Sequence, residues 1–240
     1  PHAPRTGGVV TAIPLSTTFA QDGVGEPRFG YEYARTGNPT RHAYEQCIAS
    51  LEGATHGFAF ASGLAAEDVL LRHLKPGDHL LLGDDAYGGT FRLIDKVHAR
   101  AGLASSAVDL TDTESIRQAW TPSTRMVWFE TPTNPLLTVI DIEQVCSVVH
   151  ELGGLTVVDN TFATPYLQQP IGLGADAVVH SATKYLGGHN DLLAGAIIGN
   201  AEQLEAVRGL RGIMGSINSP HNIYLLQRGL KTFGLRIKQH

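Results

Sequence analysis

The residues best suited to chemistry lie in the tetrapeptide SATK at 181–184, directly after the apolar segment 177–180. Lys184 is flanked by the hydroxyls of Ser181 and Thr183 and is followed by Gly187 and Gly188. A lysine so placed has two chemical uses. It can be a fixed positive charge for a phosphate. It can also be a nucleophilic amine toward an aldehyde, which requires burial to bring its pKa down from about 10.4. In the second case the hydroxyls of Ser181 and Thr183 can hold a phosphate carried by the same aldehyde. Taken alone, a solvated surface lysine explains the tetrapeptide better.

Three further features add to it. In VVDNT at 157–161, Asp159 stands at the carboxyl end of an apolar strand, where open α/β sheets bind ligands. An acid there can keep a proton on a pyridine nitrogen, so that the ring draws electrons from a substrate. A helix or turn cap is the plainer use, and a ribose-binding acid is another. The ribose role needs GxGxxG after a first strand, which is missing, as are a Walker A loop and the second histidine that would complete HExxH at His150-Glu151. ASGL at 61–64 reads as a strand-to-helix junction whose backbone N–H groups form an anion site, or else as a tight turn only. DDAYGG at 84–89 brings Tyr87 to the same sheet edge, where its ring can stack on a flat ligand, although a lone tyrosine is more often packing. Together, these strand ends place an anion site, a stacking ring, a pyridine partner and an amine along one edge of one sheet.

The elements that must position them follow from hydrophobic patterning. Residues 1–39 are rich in Gly, Pro, Thr and Tyr without a sustained period, and read as an extended arm that is functional or packs on a partner. Thr40 can cap a helix with apolar positions at Ala43, Tyr44, Cys47, Ile48 and Leu51, which Gly53 ends. Strands are predicted at 57–61, 79–82, 103–108, 126–130, 155–159, 177–180 and 194–199, and helices at 64–74, 89–101, 113–120 and 142–152. The strands are continuous apolar runs, as in a sheet buried on both faces. Their alternation with helices predicts an α/β fold with a mostly parallel, doubly wound sheet. Residues 224–240 are amphipathic and stop without a C-cap, so the chain looks cut.

Composition excludes some classes. The formal net charge is −5 and the 18 Lys and Arg are scattered, which argues against a nucleic-acid partner. The longest apolar stretches, such as 69–71 and 194–198, are too short for a bilayer, and no signal-peptide pattern follows Pro1–Arg5. Cys47 and Cys146 read as buried free thiols, and sequons are absent, which fits a reducing, cytoplasmic setting.

These motifs resemble the Cys/Met-metabolism enzymes dependent on pyridoxal 5′-phosphate, among them cystathionine γ-synthases, cystathionine β- and γ-lyases, methionine γ-lyases and O-acylhomoserine sulfhydrylases. The resemblance runs essentially the whole length, through YEYARTGNPT at 31–40, ASGL at 61–64, DAYGGT at 85–90, FETPTNP at 129–135, VDNT at 158–161 and HSATKYLGGH at 180–189. It implies a type I aminotransferase-like fold with a seven-stranded sheet between helices and a C-terminal small domain largely missing. Residues 1–39 would be an arm on a neighbouring subunit, 40–220 the cofactor-binding domain, and 221–240 the start of a connecting helix.

The resemblance also implies roles. Lys184 forms a Schiff base with pyridoxal 5′-phosphate and later shuttles protons. Asp159 pairs with the pyridine nitrogen, with Thr161 beside it. Ser62, Ser181, Thr183 and the amides of Gly63 and Leu64 hold the phosphate. Tyr87 stacks on the ring and assists proton transfer. Asn134 lies near the phenolic oxygen, with Glu130 nearby. Tyr33 and Arg35 reach into the neighbouring subunit's site, so the active unit is at least a dimer and is expected as a homotetramer. The substrate is a small sulfur amino acid, and the reaction is γ-replacement or elimination. Methionine γ-lyases carry a cysteine two residues after the stacking tyrosine; here that residue is Gly89. The stretches 25–28, 87–94 and 188–195 look most like cystathionine γ-synthases. Arg92 reads as an ordinary surface arginine.

Overall fold

The computed structural model describes residues 7–240. Strands β1 (Gln21–Gly23) and β2 (Glu26–Pro27) form a small antiparallel ribbon within the arm. The main sheet consists of β3 (His56–Phe60), β4 (His79–Gly83), β5 (Ala104–Val108), β6 (Thr124–Glu130), β7 (Leu155–Asp159), β8 (Ala177–His180) and β9 (Gly195–Gly199). Its order is β3-β9-β8-β7-β6-β4-β5, and β9 alone runs opposite in direction to the other six strands. The carboxyl ends of β3, β4, β6, β7 and β8 therefore lie along one edge. From β4 the chain goes outward to β5, whereas from β6 it proceeds the other way to β7 and β8. That reversal opens a crevice at the carboxyl ends of β4 and β6.

The helices are α1 (Pro39–Leu51), α2 (Gly63–Leu71), α3 (Gly88–Leu93), α4 (Thr113–Ala119), α5 (Ile142–Glu151), α6 (Thr164–Leu167), α7 (Ala201–Met214), α8 (Pro220–Leu230) and α9 (Phe233–Gln239). Strand alternation sorts the core onto two faces. Leu80, Leu82, Met126, Trp128, Val157 and Val179 pack with Ala66, Val69 and Leu70 of α2 and Leu204 and Val207 of α7. Opposite, Leu81, Val127, Phe129 and Val158 meet Ile116, Val145 and Val149, while Val178, Ala196 and Ile198 meet Tyr44, Ile48, Ile223 and Leu226.

The expected sheet is present, with local departures. Asn38 rather than Thr40 caps α1: its side chain accepts from the amides of Thr40 and Arg41 at 3.0 and 3.2 Å, and Pro39 takes the first helical position, where a missing N–H costs nothing. The hydroxyl of Thr40 instead donates to Ala12 O at 2.7 Å and fastens the arm. The helix expected over 89–101 is α3 followed by a π turn over Ile94–His98 and a 3₁₀ turn over Ala99–Ala101. Cys146 is buried as expected, but Cys47 is exposed, since α1 turns that side to solvent. The tail is two helices, α8 and α9. Ile223 and Leu226 of α8 are fully buried in the core of the main sheet.

Candidate active site

Three loops meet at the sheet edge. Asp159 ends β7 and is only 7 % exposed; its Oδ1 accepts from the Thr161 amide at 2.9 Å. The Thr161 hydroxyl accepts from the Ser181 amide at 2.8 Å, which ties the loop after β7 to the loop after β8. Ser181 in turn abuts Gly63: a Cβ added at Gly63 would lie 2.9 Å from the Ser181 Cβ and 3.1 Å from its Cα. Ser62 caps α2, its side chain accepting from the Ala65 amide at 3.1 Å. The Gly63 and Leu64 amides in that first turn have no intrahelical partner, as at any helix start. Asp159, Thr161, Ser181, Ser62, Gly63 and Leu64 are thus brought together.

Tyr87 stands at the start of α3 after β4, 42 % exposed, its ring lying across Gly89 so closely that a Cβ there would collide with it. Glu130 ends β6 and is the register partner of Asp159, so both side chains leave the face that carries α2. Its Oε1 accepts from the Asn134 amide at 2.7 Å, while the Asn134 side chain is exposed. The Thr133 hydroxyl donates to Asp85, whose carboxylate also accepts from the Leu136 amide at 3.0 Å, so the loop after β6 is pinned to the turn before Tyr87.

The carboxyls here are strongly perturbed. Burial and the neighbouring Asp159 push Glu130 up to about 8, against the pull of its bond from Asn134. Burial and Asp159 likewise push Glu67, on α2, up to about 8. Asp159 is itself raised by burial, partly offset by its bonds from Thr161 and by His180. His180 sits beneath, fully buried, with Nε2 2.5 Å from Glu52 Oε1, which also accepts from the Asn160 side chain at 2.8 Å.

Other expected residues sit differently. Lys184 is exposed rather than buried, one turn beyond Ser181 at the rim of the cluster. The Thr183 hydroxyl donates to Ala194 O at 3.1 Å and accepts from Ala194 N at 3.0 Å, so its single proton is committed to the backbone rather than offered to an anion. Tyr33 and Arg35 do not join the cluster: the Arg35 guanidinium stacks on the Tyr33 ring, 5.3 Å from its centroid, and donates to Gly212 O at 2.5 Å. Arg35 lines a cavity of about 1020 Å³ between the arm, α1 and α7, together with His42, Glu45, Arg208 and Arg211.

Some site residues carry no legible signal. Glu67 lies in α2 outside every motif of the sequence, and its partner Thr90 closes the DAYGGT motif without a role of its own there. Arg236 on α9 donates to Tyr185 O at 2.7 Å and Gly229 O at 2.9 Å, bracing the turn that follows Lys184. Only proximity in the fold reveals any of them.

Pyridoxal phosphate fits the residues present. The Gly63–Ser181 contact leaves backbone amides and a hydroxyl where a side chain would intrude, suited to a phosphate. The buried Asp159 carboxyl suits a ring nitrogen that carries a proton, and Tyr87 offers an exposed ring beside them.

The comparisons with known proteins agree. The chain is 50 % identical over 236 residues to a cystathionine beta-lyase of Lactococcus lactis, covering 98 % of this chain and 62 % of that protein. It is 51 % identical over 239 residues to a cystathionine gamma-synthase of Mycobacterium tuberculosis, covering 99 % and 62 %. The structure of a cystathionine gamma-lyase from Lactobacillus plantarum complexed with L-serine superposes with a TM-score of 0.95 at 45 % identity, over 98 % of this chain and 61 % of that one. The chain thus spans about three fifths of the length of these relatives. A family model described as Cys/Met metabolism PLP-dependent enzyme matches residues 1–240. With a family model matched from end to end and half of its residues identical to such relatives, the chain belongs to the pyridoxal-phosphate-dependent family of Cys/Met metabolism, that of the transsulfuration enzymes.

Proposed function

We propose that this chain is the cofactor-bearing part of a cystathionine γ-synthase-like enzyme, which replaces the γ-substituent of an O-acylhomoserine with the thiol of cysteine to give cystathionine. The observation that carries the reading is the junction of Asp159, Thr161, Ser181 and Gly63 at one sheet edge, with Lys184 at its rim and Tyr87 alongside. Residues 40–220 form the cofactor domain, residues 1–39 an arm for a neighbouring copy, and 221–240 the start of a connecting helix. The assembly is a homotetramer. We place it in the cytoplasm, a reading supported by its free thiols.

Each residue then has a task. The Ser181 hydroxyl and the Gly63 and Leu64 amides hold the phosphate, with Ser62 fixing the helix start and Thr183 fixing its own loop on Ala194. Asp159 holds a proton on the ring nitrogen, and Thr161 holds Asp159. Bound there, pyridoxal phosphate supplies an electron sink for the substrate Cα–H bond. The Lys184 amine anchors it and then takes and returns protons at the substrate carbons. Tyr87 covers one face of the ring and assists that transfer, while Glu130 and Asn134 line the side of the phenolic oxygen. Tyr33 and Arg35 serve the phosphate of a neighbouring copy.

Gly89 stands where methionine γ-lyases carry a cysteine two residues after the stacking tyrosine, which supports a reading away from that activity. Elimination, as a cystathionine β- or γ-lyase, is the second reading, favoured by the equally similar relative named for β-lyase activity. Borohydride reduction of the cofactor-loaded chain, followed by peptide mapping, is expected to label Lys184, and Lys184→Ala to abolish both label and yellow colour. Label on another lysine would overturn the site. A substrate panel scoring cystathionine and keto acid separately decides between synthase and lyase.

A further inference from the structure

Glu67 has no part in the reading above, yet it stands at the centre of the site. It is 3 % exposed, on the face of α2 that packs with the sheet, and its Oε2 has no hydrogen-bond partner. Its carboxyl bonds the Thr90 hydroxyl, itself 1 % exposed and three residues beyond Tyr87. Glu130 and Asp159 project from the sheet toward the same space as register partners. Ala66, Val69 and Leu70 lock α2 against Trp128, Val157 and Val179, so Glu67 cannot swing out to water.

Three buried carboxyls therefore face one another, and the charge of each opposes ionisation of the others. The other charged groups nearby act on its members rather than on Glu67: His180 on Asp159, Asp85 on Glu130, while Asp68 on α2 pairs with Arg72 and His98. Burial and Asp159 hold Glu67 up at about 8, so at neutral pH it keeps its proton. A neutral acid can donate as well as accept.

We infer that Glu67 is a positioning residue of the ring site, a proton-bearing carboxylic acid that ties α2 to α3 through Thr90. It thereby holds the phosphate cradle at Gly63 and the Tyr87 ring in one arrangement, and leaves Asp159 as the group that carries charge. The first half concerns the protein alone; the second rests on the cofactor reading proposed above.

Two measurements on the native chain, E67Q, E67A and Thr90→Val test it. The first is the urea midpoint of the cofactor-free protein against pH. The unfolded chain ionises Glu67 near 4.5, whereas the folded chain holds the proton to about 8, so native stability is full below the lower value and declines up to the higher one. Gln has no proton to hold, so E67Q should lose the Glu67 part of that decline, Glu130 and Asp159 retaining the rest. The second is the pyridoxal phosphate dissociation constant at pH 7. E67Q should stay within about threefold of native, and E67A and Thr90→Val should weaken it by about tenfold, with far-UV circular dichroism unchanged. An undiminished pH decline in E67Q overturns the protonated acid. Native affinity in Thr90→Val, which keeps the core filled even where E67A fails to fold, overturns the positioning role. A native chain that binds no pyridoxal phosphate sinks the proposed function and the ring-site role together, while the midpoint series still decides the protonation of Glu67.

Discussion

Gly63 shows how one missing methyl group shapes a site. Its neighbour is the Cβ and Cα of Ser181, a backbone contact that no rotamer change relieves. Gly63→Ala must push the start of α2 away from the loop after β8. We expect about tenfold or greater loss of pyridoxal phosphate affinity, read by absorbance titration, with folding retained. Gly63, Asp159 and Ser181 were legible because glycine and polar residues break apolar runs at strand ends, and only a few chemistries need such breaks. Lys184 was found by the same logic, but its expected burial was not met; exposure depends on what packs over residue 184, and spacing carries no such information. Thr183 reads as a phosphate donor in sequence because a hydroxyl beside the lysine is all the sequence displays. Its bond to Ala194 appears only once β9 returns alongside β8.

At the scale of elements, the strands of the main sheet were readable to within about two residues, because short apolar runs such as LLL and MVWF, closed off by Gly- and Pro-bearing turns, are too short for helices and suit a sheet covered on both sides. Helix α7 was not read at all. Its sequence AEQLEAVRGLRGIM is interrupted by two glycines, and its place is set by burial of Leu204 and Val207 and by Arg211. Arg211 is 4 % exposed and donates to Glu45, which also faces the buried Arg41 at 3.7 Å and accepts from the Ala59 amide at 3.0 Å. The Arg211 guanidinium lies 4.9 Å from the Phe58 ring centroid. One carboxylate thus joins α1, β3 and α7. Glu45→Ala leaves the two buried guanidiniums without their carboxylate, and should cost about 3–5 kcal/mol, measured as a fall in the urea midpoint.

At the scale of the whole molecule, the arm is the part whose role a single chain does not display. It is anchored on its own chain by bonds from Asn38 to Pro14 O at 3.1 Å and from Thr40 to Ala12 O, yet it keeps Phe29, Tyr33 and Arg35 exposed. If Arg35 serves a neighbour's cofactor, chains that lack Arg35 and chains that lack Lys184 should complement each other. Mixed and refolded Arg35→Ala and Lys184→Ala chains are expected to regain about a quarter of the intact sites, since half of random pairs are mixed and each mixed pair rebuilds one site. Borohydride-stable cofactor per chain measures it. No recovery above the separate variants would confine each site to one chain.

Trp128 adds a practical consequence. It is 2 % exposed on β6, two residues before Glu130 and on the same face of the strand. An indole so near the ring site should pass its excitation to a yellow chromophore seated there, dimming its own emission. The molecule thereby carries an internal lamp by which loading and release can be followed in solution without any added label.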